Sequence, residues 1–243
     1  MAKMTLEELT TQLRAAWGDA LQSVVLYGSA AADAPPPGTH CDVLVIVDRL
    51  DVARLDAASA VVRAWTDAGH PAPMTMTSEE WRRSADVFPM EYADILERHR
   101  VLHGAPPFDE VRVAAADLRW QLENQAMGKL LHLRAGVLAS GGDAKRQLEL
   151  LEASRAAVLV LFRSTLRLHG MPASGEPEAV VHETARVAGF DPEPYLRVVR
   201  HARGAPRLDR ADVGATLAGY VSGVEQLKRH LDQYSSDHPT LTT

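Results

Sequence analysis

The chain has 243 residues, of which 46% are hydrophobic and 24% are charged, a composition typical of a globular protein with one large domain or two smaller ones. Its formal net charge of −6 argues against a nucleic-acid partner, because proteins that grip a phosphate backbone usually carry a basic surplus. No apolar run approaches the roughly 20 residues needed to cross a bilayer, so we expect no membrane partner.

The number of cysteines and the N-terminal residues indicate the cellular compartment of the protein. Cys41 is the only cysteine, so no intrachain disulfide can form. The N-terminal residues carry charges on an amphipathic pattern and lack the apolar segment of a signal peptide. The sequence therefore predicts a cytoplasmic protein. Cys41 lies among strand residues, which favours a small half-buried side chain over a nucleophile.

The N-terminal part alternates between helical and strand patterns. Thr5 and Glu8 have the spacing of a capping box and predict a helix that ends near Gly18. Strands are predicted over 24–27 and 43–47, and the second is apolar at every position, as expected for a central strand. A helix over 52–67, a strand over 71–77, a short helix from Ser78 and a last strand over 100–103 follow.

The pattern changes after the proline-rich segment 105–107, which is the best candidate for a linker. From about Val111 onward, apolar residues recur with a helical period. Two long helices separated by glycines at 141–142 are predicted, then shorter ones over 177–188, 192–202 and 209–234. The predicted fold class is therefore α/β plus α: a mixed-sheet domain over 1–105, a helical bundle over 108–234 and a flexible tail over 235–243.

Two short segments carry a resemblance to a known family. "LYGSA", followed after a loop by "CDVLVIV", resembles the signature of the nucleotidyltransferase superfamily with a polymerase-β-like fold. That superfamily includes the aminoglycoside adenylyltransferases and the minimal nucleotidyltransferases. "FPMEYADILERHRVLHG" and "GKLLHLR" resemble an uncharacterised prokaryotic subgroup of it. The resemblance implies a polymerase-β-like domain followed by a helical bundle.

The resemblance also implies a nucleoside triphosphate, such as ATP, as ligand or substrate. Gly28 would let the backbone approach the phosphates, because a Cβ there would collide with them. Ser29 would offer its hydroxyl and N–H, and a helix starting just afterwards would add its positive end. Asp42 matches the first of three carboxylates that hold Mg²⁺ in the family. From the residues alone, Asp42 could equally cap the loop by accepting backbone hydrogen bonds.

The sequence departs from the family pattern at the other two carboxylates. The second belongs two residues after Asp42, at Leu44, and the third aligns best with Met74. Leucine cannot ligate a metal and a methionine thioether does not suit Mg²⁺, so two-metal transfer is expected to be disabled. We therefore expect a protein that binds a nucleoside triphosphate at Gly28, Ser29 and Asp42 but is catalytically degenerate, with a sensing or interaction role.

The alternative is an active Mg²⁺-dependent nucleotidyltransferase that moves an adenylyl group to a small molecule or a protein. It requires Glu91 or Asp94 to supply the missing ligand, which is possible only if their segment folds back over the Gly28–Ser29 corner. An ion pair between one of these acids and Arg98 or Arg100 is the competing interpretation. The sequence is compatible with a homo-oligomer but does not specify one.

Overall fold

A computed structural model describes residues 4–32, 39–173, 175–204 and 206–234. The chain divides into two compact units between Val113 and Ala114. The division lies beyond the proline-rich segment at which the sequence placed it. The residues that follow this segment pack on the first unit: Phe108 lies against His99 with ring centroids 4.0 Å apart, and Val111 is buried.

In its described residues, the first unit contains a four-stranded mixed sheet and four α-helices. The strands are β1 (Leu21–Tyr27), β2 (Asp42–Val47), β3 (Met74–Thr77) and β4 (His99–Gly104), and the helices are α1 (Leu6–Trp17), α2 (Val52–Asp67), α3 (Ser78–Arg83) and α4 (Pro89–Glu97). The strand order is β3-β2-β1-β4. β1 runs antiparallel to both of its neighbours, whereas β2 and β3 are parallel because α2 connects them. β2 is therefore an interior strand, as its apolar sequence predicts.

Alternation along β2 directs side chains to both faces of the sheet, and both sets are buried. Val43, Val45 and Val47 of β2 point to one face and belong to a core that also contains Leu9 of α1 and Trp65 of α2. The opposite face carries Leu44 and Ile46, which are also almost fully buried. On that side Trp81 of α3 stacks on Tyr92 of α4, with ring centroids 4.1 Å apart. Two-sided burial explains why β2 is apolar at every position after Asp42.

The second unit consists of helices. They are α5 (Ala115–Ser140), α6 (Ala144–Leu168), α7 (Pro177–Ala188), α8 (Glu193–Ala202) and α9 (Val213–Gln233). Gly141 ends α5 in the left-handed conformation, and the Asp143 side chain caps α6 by accepting from the backbone N–H of Arg146. The observed architecture, a mixed sheet with helices followed by a helical part, confirms the predicted fold class.

Aromatic side chains and a close helix contact organise the core of the second unit. The Tyr195 hydroxyl of α8 donates to the Tyr220 carbonyl of α9 at 2.6 Å. A Cβ added to Gly223 would lie 2.4 Å from the Tyr195 hydroxyl oxygen, so only glycine permits this approach of α8 to α9. Within the described residues, no helix has both the length and the apolarity that spanning a membrane requires.

Candidate functional site

The Gly28–Ser29 corner is a tight turn at the end of β1. Gly28–Ala31 forms one turn of 3-10 helix, so the α-helix expected after Ser29 is not formed there. Gly28 has φ +69°, a conformation that favours glycine. Its backbone N–H donates to the Arg98 carbonyl at 3.1 Å, so this amide is already used within the protein. Ser29 is exposed and remains accessible to a ligand.

The segment containing Glu91 and Asp94 folds back towards this corner. It forms α4, and the Arg98 N–H at the end of α4 donates to the Asp94 carbonyl at 3.1 Å. Because the Arg98 carbonyl in turn accepts from Gly28, two successive backbone hydrogen bonds connect Asp94 to the corner. α4 thus places Asp94 at the turn. This is the position that Asp94 must have if it is to supply the missing metal ligand.

Two carboxylates converge on the same side of Gly28. A Cβ added to Gly28 would lie 3.3 Å from Asp94 Oδ2 and 3.6 Å from Asp42 Oδ2. Asp42 begins β2 directly opposite Tyr27 in the antiparallel ladder. The space that a side chain at position 28 would fill is therefore bordered by acids from two different elements, β2 and α4.

Asp42 lies in a mixed electrostatic environment. His40 Nε2 lies 3.3 Å from Asp42 Oδ2. Burial raises the pKa of Asp42 above its ordinary value, and the negative charge of Asp94 raises it further, while His40 and His70 act in the opposite direction without cancelling the effect. A raised pKa means that Asp42 is protonated, and so loses its negative charge, more readily than an exposed aspartate.

A third acid, Glu91, contributes to the negative electrostatic field at this corner. Burial raises the pKa of the Tyr27 hydroxyl, and the charges of Asp42, Asp94 and Glu91 raise it further, in that order. Glu91 lies one helical turn before Asp94 on α4. The three acids proposed from the sequence therefore act on one side chain.

The two positions expected to carry the remaining carboxylates are apolar and adjacent. Leu44 is the register partner of Met74 in the parallel β2–β3 ladder, and its side chain is fully buried. Among the residues that the structure describes, no group of three or more His, Cys, Asp or Glu side chains could hold a metal ion. The described side chains at this corner therefore do not fit a two-metal centre. A single Mg²⁺ does fit, because Mg²⁺ commonly binds one or two carboxylates and completes its shell with phosphate oxygens and water.

His70 was not identified from the sequence. Its Nδ1 accepts from the Cys41 backbone N–H at 3.1 Å, and its ring stacks on Trp65 with centroids 4.0 Å apart. No spacing rule connects His70, in the segment after α2, with the start of β2. Burial raises the pKa of the Cys41 thiol, which disfavours the reactive thiolate.

The chain matches no family model and no curated protein. Among solved structures it is similar to the spectinomycin adenyltransferase AAD(9) from Enterococcus faecialis, solved with ATP and spectinomycin. The similarity covers 94% of this chain and 100% of that chain, with 11% sequence identity and a TM-score of 0.60. At this identity the likeness shows the fold: the chain has a nucleotidyltransferase fold with a helical C-terminal region. The match with the prokaryotic subgroup stays a prediction.

Proposed function

We propose that the chain binds a nucleoside triphosphate together with one divalent cation at the Gly28 turn, with Asp42 and Asp94 as the protein ligands of the cation. The observation that carries this proposal is the convergence of the two carboxylates beside Gly28. Mg²⁺, when bound, would offset part of the negative charge of the phosphates and of the two acids. Ser29, exposed at the same turn, would donate to a phosphate oxygen.

Electrostatics supports a cation at this position. Two carboxylates that face one another repel, and the raised pKa of Asp42 reflects both this repulsion and burial. A divalent cation placed between them converts the repulsion into attraction. His40, which pairs with Asp42 in the ligand-free chain, is more than half exposed and can move away when the cation binds.

The structural neighbour supports a nucleotide as the ligand. AAD(9) was solved with ATP and with a small-molecule acceptor, spectinomycin, and the present chain shares its fold over most of its length. The loss of acids at Leu44 and Met74 favours binding without efficient turnover, because the family chemistry relies on more than one metal. We therefore favour a nucleotide-dependent sensing or interaction role.

A second candidate is slow nucleotidyl transfer to a small molecule or a protein, and the position of Glu91 favours it. Glu91 is not one of the two proposed ligands of the cation, and its charge acts at Tyr27. Glu91 would accept the proton of an acceptor hydroxyl while that oxygen forms a bond to the α-phosphorus. The bond from the α-phosphorus to the bridging oxygen would break, and pyrophosphate would leave.

Calorimetry with a non-hydrolysable ATP analogue, with and without Mg²⁺, tests the first proposal. We expect Mg²⁺-dependent binding that weakens at least about tenfold in Asp42→Asn and in Asp94→Asn, because each removes one ligand of the cation. Asp48→Asn is the matched control. Asp48 follows the opposite end of β2, pairs with Arg54 at 4.0 Å, and its loss should leave binding unchanged.

The same set of variants separates the two candidates. Absence of binding to ATP and GTP analogues would contradict the nucleotide proposal, and binding that ignores both Mg²⁺ and Asp94→Asn would contradict the cation site. Pyrophosphate release from ATP in the presence of an acceptor, lost in Glu91→Gln although binding persists, would establish the transferase. Binding of the ATP analogue without any pyrophosphate release from ATP would support the non-catalytic role.

A further inference from the structure

Helix α5 carries a row of exposed apolar side chains. Trp120, Met127, Leu131 and Leu138 are 68%, 37%, 56% and 83% exposed. Their spacing of seven, four and seven residues places them in one line along the helix, and we call this line the α5 stripe. It lies away from the buried face of α5, whose residues include Leu118, Leu122, Ala126, Leu130 and Leu133.

An apolar line on the solvent side of a helix is unusual for a monomer and marks an interaction surface. The buried face of α5 packs within the helical unit, where α5 contacts α6 and α9, while the α5 stripe is exposed and borders a groove beside α9 at its Leu138 end. We propose that the α5 stripe pairs with the α5 stripe of a second copy of this chain, the two helices running antiparallel about a two-fold axis.

The positions of the stripe are symmetric in the way that such an axis requires. Trp120 and Leu138 are equally distant in sequence from position 129, and Met127 and Leu131 are too. In an antiparallel pair centred there, Trp120 meets Leu138 of the second copy, and Met127 meets its Leu131. A two-fold interface must be self-complementary in this manner.

The charges beside the stripe favour the same orientation. The helical repeat places Glu123 and Arg134 on the same side of the stripe, near opposite ends. An antiparallel arrangement brings Glu123 next to Arg134 of the second copy, and the pairing occurs twice, whereas a parallel arrangement would juxtapose like charges. Both side chains are accessible, at 33% and 52% exposure, although Glu123 also pairs with Arg119 and Arg134 with Glu225 within the chain.

A groove at the Leu138 end offers space for the tryptophan. It lies between α5 and α9 and has a volume of about 530 Å³. Its apolar lining includes Val137, Leu138, Leu217 and Val221. The antiparallel pairing brings Trp120 of the second copy, the largest side chain of the stripe, to this end. A large aromatic side chain seated in a pocket is the usual anchor of a protein interface.

Sedimentation velocity on the full chain over a range of concentrations tests the proposal. We expect a monomer–dimer equilibrium that Leu131→Glu shifts to monomer, because it places two like charges near the two-fold axis. Val160→Glu is the matched control: Val160 is 50% exposed on α6, away from the stripe, so this variant should still dimerise. Circular dichroism melts should show that both variants are folded.

Two further measurements test the orientation. Glu123→Arg and Arg134→Glu should each weaken dimerisation about tenfold, and the double variant should restore it. Acrylamide quenching of tryptophan fluorescence reports mainly on Trp120, since Trp17, Trp65 and Trp81 are at most 8% exposed. Quenching should therefore decrease as the protein concentration rises. A chain that stays monomeric, a dimer that persists in Leu131→Glu, or a double variant that is not restored would overturn the proposal.

Discussion

Leu44 of β2 and Met74 of β3 are register partners in the parallel ladder, at the two positions where the family pattern expects carboxylates. Leu44 is fully buried, and the same face carries Ile46. Both positions therefore hold apolar side chains, and Leu44 contributes to a core. The one acid of β2, Asp42, and Asp94 of α4 both border the space beside Gly28.

Restoring the missing carboxylate should destabilise the protein. We expect Leu44→Asp to lower the free energy of unfolding by at least about 3 kcal/mol, because it buries a charge without a partner. Leu44→Met keeps the volume and should cost less than about 1.5 kcal/mol. Urea denaturation of both variants measures the difference. Equal stabilities would show that position 44 tolerates a carboxylate and is not part of a closed core.

Gly28→Ala should remove nucleotide binding because its Cβ fills the site, and a matched variant separates this effect from backbone strain. Its Cβ would enter the space bordered by Asp42 and Asp94 and would also be strained at φ +69°. Gly189→Ala is also strained by a positive φ, at +75°, but its Cβ would meet nothing within 4 Å. Both variants should lose about 1–2 kcal/mol of stability, and only Gly28→Ala should lose the nucleotide in calorimetry. Equal affinities in the two variants would contradict the assignment of the corner.

The raised pKa of Asp42 predicts that the stability of the protein depends on pH. Because the folded-state pKa lies above the unfolded value, Asp42 lowers stability as the pH rises between the two. Asp42→Asn has no such charge and should be more stable than the parent at pH 7 by about 0.5–1 kcal/mol in EDTA. The advantage should shrink below the ordinary pKa range of aspartate. Urea titrations at several pH values measure it, and a parent that is more stable at pH 7 would oppose this assignment.

Two glycines of the helical unit should respond oppositely to alanine. At Gly223 a Cβ would lie 2.4 Å from the Tyr195 hydroxyl oxygen, so Gly223→Ala should destabilise by about 1–3 kcal/mol. At Gly128, exposed within α5, a Cβ would meet nothing within 4 Å, and Gly128→Ala should stabilise by up to about 1 kcal/mol through helix propensity. Thermal denaturation compares the two, and a stabilised Gly223→Ala would argue against the close α8–α9 contact.

Local patterns were sufficient to predict most of the elements. The helix over 52–67 and the helix over 177–188 have the predicted bounds, because capping, proline and glycine signals define their ends. The division between the units was harder to place. A proline-rich segment resembles a linker in sequence, yet the residues after it pack on the first unit through Phe108 and Val111.

Some residues of the candidate site could be proposed from a local sequence motif, whereas others come near it only through the fold. Gly28 and Asp42 belong to one short motif, so they could be proposed as site residues from their order in the chain, and their role stays a prediction. The approach of Asp94 to them depends on how α4 and β4 fold back, which no local pattern encodes; the sequence could only state it as a condition. His70 reaches Cys41 through a loop after α2, and it illustrates the same limit.

Binding of Mn²⁺, followed through the electron paramagnetic resonance signal of the free ion, tests the central claim most directly. In the presence of a non-hydrolysable ATP analogue, we predict one tightly held ion per chain in the parent and in Asp48→Asn. We predict that this ion is lost in both Asp42→Asn and Asp94→Asn. Ion binding that survives Asp94→Asn unchanged, or that is absent from the parent protein, would contradict the account.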